Sequence, residues 1–347
     1  MRSLLPSFIT LTPAMITYRF FAVAFTFGLA FTSSAHAGDA FFSPDGRTVT
    51  YVPSFDTGCL KRINLETKSV ERIAVTLPKD QGIVALASGA DGEALFTTEK
   101  AAWVHDAKGT RKLCDLGEVE NATSLIVAPS KGEQLVDYLF ITGSEKDDPN
   151  RHLFFYRKPG QKTFKPTFCR RVQTIYTGVF TPDGRFFFDG DGDLWEGGFE
   201  PDDAQGEMPP VLNGVRIAPL GLFNTDSANG GSLYVNRILP AGQSIFVVLR
   251  GHHMGQLLRV AMNPTSAMKE GSDANDNVKG NYAYMAKSLA SVQIIDDSFD
   301  PITTAAAIAI NGTERLLYSK GNSTQTFYLW DSSTGKSVEI AKDEEQP

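Results

Sequence analysis

Short apolar runs and glycine-bearing turns alternate along most of the chain, and the runs have the length and residue types of strands. The sharpest unit is Ala40-Phe41-Phe42-Ser43-Pro44-Asp45-Gly46-Arg47-Thr48-Val49-Thr50-Tyr51-Val52. Gly178-Val179-Phe180-Thr181-Pro182-Asp183-Gly184-Arg185-Phe186-Phe187-Phe188 repeats it. Looser copies occupy 84–98, 124–140, 238–250 and 307–319. Proline presets φ at the first central position of a turn, Asp bonds its own downstream backbone, and Gly supplies positive φ. The flanking Phe, Val, Ile, Leu and Tyr suit strands. Several runs, such as Phe186-Phe187-Phe188, are continuously apolar, as expected of a strand covered on both faces.

Each hairpin is followed by further strand-like runs. They fall at 59–65 and 69–75 in the first unit, at 101–106 and 112–116 in the second, and at 153–157 and 163–172 in the third. The fourth unit continues with 193–196 and a candidate last strand at 210–212. The fifth continues with 257–262, and its fourth strand is not evident; the last continues with 326–330 and 336–340. Four strands per unit predict an all-β fold, a β-propeller of six blades of four antiparallel strands, in one domain spanning 38–347. Seven blades are the alternative, if 278–302 hold a degenerate one. A sheet of this kind buries both faces only by stacking on its neighbours. Neither end offers a spare strand, so the ring is expected to close by packing. Residues 143–150, 200–209 and 263–281 are polar and read as surface insertions.

The N-terminus follows a different pattern. Residues 20–31, FFAVAFTFGLAF, are apolar; Arg2 and Arg19 precede them, no acidic residue appears before Asp39, and Ala35-His36-Ala37 follows. A basic region, a short apolar run and an A-x-A site make residues 1–37 a secretory signal cleaved after Ala37, which places the chain in the periplasm or outside the cell. The alternative is an uncleaved anchor, against which the shortness of the run argues. Met15 is an alternative start to Met1. Removing the signal takes the net charge from −7 to −9. So acidic a chain repels nucleic acid and anionic membranes, and no later run is long enough to span a bilayer.

The motif FFSPDGRTVTYV followed by LKRINLETKSVERI resembles the repeat of TolB-type, WD-repeat-like bacterial propellers. Ser43-Pro44-Asp45-Gly46-Arg47, Tyr51 and Ile63-Asn64-Leu65-Glu66-Thr67 carry the resemblance, and VFTPDGRFFFDGDGDLWEGG and FYLWDSSTGKSVEI repeat parts of it. It covers about two thirds of the chain after the signal and implies the fold and an exported location. Such propellers serve as docking platforms, as parts of peptidases and as ligand-binding proteins. TolB itself carries a further N-terminal domain, whereas here the first repeat begins directly after the cleavage site.

Chemistry-bearing motifs are sparse. Asp189-Gly190-Asp191-Gly192-Asp193 places carboxylates at alternate positions, as the start of a calcium loop does. The sixth position is Leu194 instead of Gly, and Asp and Gly are also the residues of an ordinary hairpin turn. Asp189, Asp191 and Asp193 are thus the candidate metal ligands, with calcium as the ion. His252-His253 follows a strand, and His105 and His152 stand singly; exposed-turn and structural roles are expected for them. Three cysteines, Cys59, Cys114 and Cys169, lie in predicted strands. An odd count leaves at least one unpaired, and there is no C-x-x-C motif. Asn121, Asn311 and Asn322 open N-x-[ST] sequons. No G-x-S-x-G, H-E-x-x-H or phosphate loop occurs, so no catalytic residue or cofactor site is assigned.

Beside a remnant structural propeller with no ligand, two functions remain. One is an exported binding or scaffold module for a cell-envelope protein or a small ligand, engaged through the long inserts or the mouth of the central channel. The other is a six-bladed lactonase or esterase with a divalent ion on the axis, held by Glu, Asn and Asp from different blades. Polar candidates on the innermost strands are Asp39, Asn121, and Asn224 or Asn236.

Overall fold

The Pro-Asp-Gly turns act as small clamps. In the first, the Ser43 hydroxyl donates to Asp45 Oδ1 (2.6 Å) and accepts the Thr48 amide (3.0 Å), and Gly46 takes φ 67°. In the second, Thr181 replaces Ser43: its hydroxyl bonds Asp183 and accepts the Arg185 amide (3.0 Å), and Gly184 takes φ 90°. These hydroxyls are the first cause that holds both Asp45 and Asp183 below the usual carboxylate pKa.

The computed structural model describes residues 40–89, 92–128, 138–169, 172, 174–181, 183–200, 211–218, 234–250, 255–261, 292–298, 300–321 and 324–344. Among the described residues, twenty-five strands form six sheets. Blade one holds β1 (Ala40–Phe42), β2 (Thr48–Tyr51), β3 (Leu60–Asn64) and β4 (Val70–Ile73). Blade two holds β5 (Ala85–Ser88), β6 (Ala94–Thr97), β7 (Ala101–Asp106) and β8 (Gly109–Asp115). Blade three holds β9 (Val119–Val127), β10 (Leu139–Glu145), β11 (Asp148–Arg157) and β12 (Lys165–Pro166). In blade four, β14 (Gly178–Phe180), β15 (Phe186–Gly190), β16 (Asp193–Glu200) and β17 (Val211–Ala218) are joined at the outer edge by β13 (Phe168–Cys169). Blade five holds β18 (Tyr234–Ala241), β19 (Ser244–Arg250), β20 (Gly255–Ala261) and β21 (Val292–Ser298). Blade six holds β22 (Ile302–Ile310), β23 (Thr313–Lys320), β24 (Thr324–Asp331) and β25 (Lys336–Glu344). This is the six-bladed, all-β propeller expected from the repeat.

Three local expectations are corrected. Val292–Ser298, within the stretch 278–302, form β21, the fourth strand of blade five, and the described sheets number six and not seven. The run 163–172 is split between two blades. Its first part pairs with β11, where Pro166 stands opposite Phe155; beyond it, Phe168 and Cys169 run parallel to Val211 and Leu212. There the segment covers part of an edge that would otherwise leave ladder groups unpaired. Residues 143–150 are a hairpin and not an insertion: Gly143 and Ser144 are buried in β10, and the charges mark the turn into β11. The segments 1–37 and 263–281, residues 201–209, and Asp39, Asn224, His252, His253 and Asn322 lie outside the described residues.

Alternation explains the continuous Phe run. Phe186 and Phe188 pack towards blade three with Phe140, Phe154 and Tyr156, whereas Phe187 packs towards blade five with Ile245 and Val247. Burying such a side chain is worth about 1.5–3 kcal/mol. Equivalent apolar clusters lie between blades two and three, five and six, six and one, and one and two. Cys59 and Cys114 are buried and unpaired, and burial holds both thiols protonated, Cys59 with its pKa pushed up to about 11.

Among the described residues the ring closes without a shared strand, since blades one and six are each built from consecutive strands. Tyr51 and Phe327 rings meet at 4.8 Å across the seam. The Tyr51 hydroxyl donates to Asp343 Oδ2 (2.7 Å) and Lys61 Nζ donates to Asp343 Oδ1 (2.6 Å). The Ser54 amide donates to Gln325 Oε1 (3.1 Å).

Candidate functional site

The first strand of each blade's four-strand meander (β1, β5, β9, β14, β18 and β22) lies innermost, around the axis. Its partner, the second strand, runs from the clamp turns to the opposite end, here called the mouth. Three inner strands break register near the mouth, and each break carries polar side chains.

In blade three, Thr142 pairs with Ser124 and Ser144 with Glu120, so Asn121, Ala122 and Thr123 stand across from Gly143 alone. Asn121 takes φ 47° and is exposed, and its Nδ2 donates to Ser144 Oγ (3.0 Å). The hydroxyls of Thr123 and Thr142 meet at 2.7 Å, and both reach the Tyr176 carbonyl at 2.8 Å. In blade five, Val235 pairs with Leu249 and Arg237 with Val248, leaving Asn236 as the extra residue. Asn236 and Arg237 are both buried, and Arg237 Nη1 donates to the Asn236 carbonyl (3.0 Å). In blade six, Ile302 pairs with Lys320 and Thr304 with Ser319, leaving Thr303. Thr303 is buried; its hydroxyl meets Ser319 Oγ and accepts from Gln325 Nε2, each at 3.0 Å. Bulges recur beside functional sites because the extra residue re-aims a side chain.

Blade four adds a buried carboxylate. Asp189 Oδ1 accepts the amides of Tyr176 (2.8 Å) and Thr177 (2.6 Å). Burial nevertheless dominates and pushes its pKa up to about 7. Close by, the Tyr176 ring is 40% exposed and lies 4.7 Å from the His152 ring. His152 Nδ1 is buried without a hydrogen-bond partner, and desolvation lowers the pKa of that imidazole.

The three candidate metal ligands sit on one hairpin. Asp191 (φ 51°) and Gly192 (φ 88°) form its two-residue turn, the geometry that Asp-Gly favours. Leu194 stands opposite Asp189, and Asp193 opposite Gly190, so Asp189 and Asp193 leave opposite faces of the hairpin. Asp191 Oδ1 accepts the Thr174 amide (3.0 Å). Among the described residues, no group of three or more His, Cys, Asp or Glu side chains is placed to hold one metal ion. Of the inner-strand candidates, Asn121 and Asn236 are both at the mouth. Arg237 and Thr303 escaped sequence reasoning, although Val235-Asn236-Arg237-Ile238 and Ile302-Thr303-Thr304-Ala305 show two polar residues breaking an apolar run, a usable sign of a bulge.

No family model matches the sequence, and no curated protein matches it. Solved structures do. An arginine-to-alanine mutant of AofleA from Arthrobotrys oligospora aligns at 11% identity and TM-score 0.50, over 90% of this chain and 88% of that one. The extracellular domain of a one-component system protein from B. thetaiotaomicron aligns at 11% identity and TM-score 0.45, over 87% of this chain. This chain spans about a third of that protein's length, 33%. The WD40 repeats of RRP9 align at 10% identity and TM-score 0.45, over 88% of this chain and 80% of that one. At these identities the likeness is one of fold. Among the described residues no helix is long and apolar enough to cross a membrane.

Proposed function

We propose that the chain is an exported binding module of the TolB-like kind. A leader removed after Ala37 sends it to the periplasm or beyond, and the mouth of the ring holds a small polar ligand or a polar segment of a cell-envelope protein. The observation that carries this reading is the set of three bulges at one end of the inner strands. Each bulge gives up ladder pairing, and the blades stack through apolar clusters that do not need it. The groups at that end are the side-chain amides of Asn121 and Asn236 and the Arg237 guanidinium, which suit hydrogen-bonded recognition of a neutral or anionic partner.

The test uses the processed protein, wild type against a variant carrying Asn121→Gly and Asn236→Ala. Glycine keeps the positive φ that position 121 needs. Both proteins are used for capture from envelope extract and for thermal-shift screening of small polar compounds. Wild type is expected to bind a partner or compound that the variant binds at least about tenfold more weakly, about 1.4 kcal/mol, at an unchanged unfolding midpoint. Equal binding by both proteins overturns the mouth as the site. A calcium-dependent rise in melting temperature together with lactone or ester hydrolysis overturns the binding reading in favour of the hydrolase.

A further inference from the structure

The seam between blades one and two opens into a groove of about 630 Å³. Its cause is the choice of side chains on the two facing sheets. Blade one presents Thr50 and, paired beside it, Arg62; blade two presents Ala94 and, paired beside it, His105. In the seam between blades five and six, by contrast, Phe246, Val248, Leu257 and Trp330 meet. Thr50 and Ala94 are too small to fill the equivalent space. Phe41, Leu60 and Ile73 give the groove an apolar wall. Its volume lies within the usual range for small-molecule sites.

The polar groups at the rim are unequal in what they have left to offer. Asp106 is occupied: Oδ1 accepts the Lys108 amide (2.8 Å) and Oδ2 accepts Arg111 Nη1. The Glu93 carboxyl is folded back over Gly89, where an added Cβ would lie 2.3 Å from Glu93 Oε1. The donors are less committed. Arg62 spends Nη1 on Glu71 Oε1 (3.2 Å), in a pair whose side chains are 44% and 63% exposed. Exposed pairs of this kind are weak, and most of the five guanidinium N–H groups remain for another acceptor. His105 Nδ1 meets the Thr110 hydroxyl (2.9 Å), which also accepts the Thr76 amide (3.2 Å). Burial, first, and the charge of Arg62 lower the His105 pKa, outweighing Asp106.

We propose that this groove binds a small organic carboxylate with an apolar body, the carboxylate on the Arg62 guanidinium and the body against Phe41, Leu60 and Ile73. The groove reaches the clamp-turn end of the blades at Gly92 and Ala107, and its lining holds none of Asn121, Asn236, Arg237 or Thr303, so it is separate from the mouth and does not rest on the function proposed there.

The probe is 3-phenylpropionate, titrated into the processed protein by calorimetry, with 3-phenylpropanamide and 3-phenylpropylamine as controls. Saturable binding of the acid is expected with Kd on the order of 1 mM or tighter, at least about tenfold weaker binding of the amide, and none of the amine. Arg62→Gln is expected to weaken the acid about tenfold or more, as loss of a charged hydrogen bond does. Ala94→Leu fills the groove and is expected to abolish binding. Asn236→Ala, at the mouth, is expected to bind the acid as wild type does, which separates failure of this site from failure of the other. No saturable binding of the acid, equal binding of acid and amide, or an Arg62→Gln variant that keeps the wild-type preference overturns the proposal. Thermal unfolding of each variant shows whether it is folded, and Arg62→Gln, on an exposed side chain, carries the test if Ala94→Leu does not fold.

Discussion

Asp189 shows how a single residue can be held against its own preference. Two backbone amides favour its ionised form, yet full burial prevails and its pKa rises to about 7 from the ordinary 3.8. A raised carboxylate pKa means that the native state holds a proton that the unfolded chain has released. The stability it contributes is present in full below about pH 4 and is lost as pH rises towards 7. One pKa unit is worth about 1.4 kcal/mol, so even half of this displacement outweighs an ordinary hydrogen bond. Asp189→Asn keeps an oxygen to accept the Tyr176 and Thr177 amides and has no charge to bury. Its melting temperature, followed from pH 5 to pH 8, is expected to stay flatter than that of wild type and to equal or exceed it at pH 8. A wild type whose stability rises over that interval would contradict the assignment.

At the scale of elements, the repeated hairpins were legible because their chemistry is local. Ser43-Pro44-Asp45-Gly46 and Thr181-Pro182-Asp183-Gly184 announce a turn from four neighbouring residues, and Phe186-Phe187-Phe188 announces a doubly covered strand. The edge strand β21 was not legible, because Val292–Ser298 carries Asp296 and Asp297 and follows a long polar stretch. The split of 163–172 depends on where two blades come to lie, which no local pattern encodes. Asn121 and Asn236 could be nominated as inner-strand polar residues, but the bulges that set them at the mouth arise from pairing with strands elsewhere in the sequence. Gly143 is the key to one of them. A Cβ there would lie 2.8 Å from both the Glu120 carbonyl and Val119 Cγ1, too close for backbone and side chain to absorb without moving. Gly143→Ala is expected to cost about 1–3 kcal/mol in urea unfolding, the usual cost of overpacking. It should also disturb the Asn121–Ser144 contact, which amide chemical shifts across β9 and β10 would report.

For the whole molecule the decisive question is what keeps a ring of independent sheets shut when no strand is shared across the last seam. Each blade is built from consecutive strands, so among the described residues no strand ladder crosses the seam between blades six and one, and side chains, with the Ser54 amide on Gln325, close it. Part of the closure is apolar, from Val49, Tyr51, Ile63, Leu317 and Phe327. The rest converges on Asp343, whose side chain is 7% exposed and binds both Tyr51 and Lys61. Burial and the Asp343 carboxylate keep the Tyr51 hydroxyl protonated and donating. Removing one partner of a buried pair strands the other charge, which typically costs about 3–5 kcal/mol, whereas replacing both by apolar groups is often neutral. Asp343→Ala is therefore expected to destabilise strongly, and Lys61→Met with Asp343→Leu to recover much of the loss. The single variant should fail at the seam first. Hydrogen exchange is expected to quicken in β1, β2, β24 and β25 before it changes in blades three and four, because neighbouring blades still support one another when one junction parts. Uniform acceleration through all six sheets would show instead that the ring opens only by unfolding as a unit, and that Asp343 contributes stability without acting as a latch.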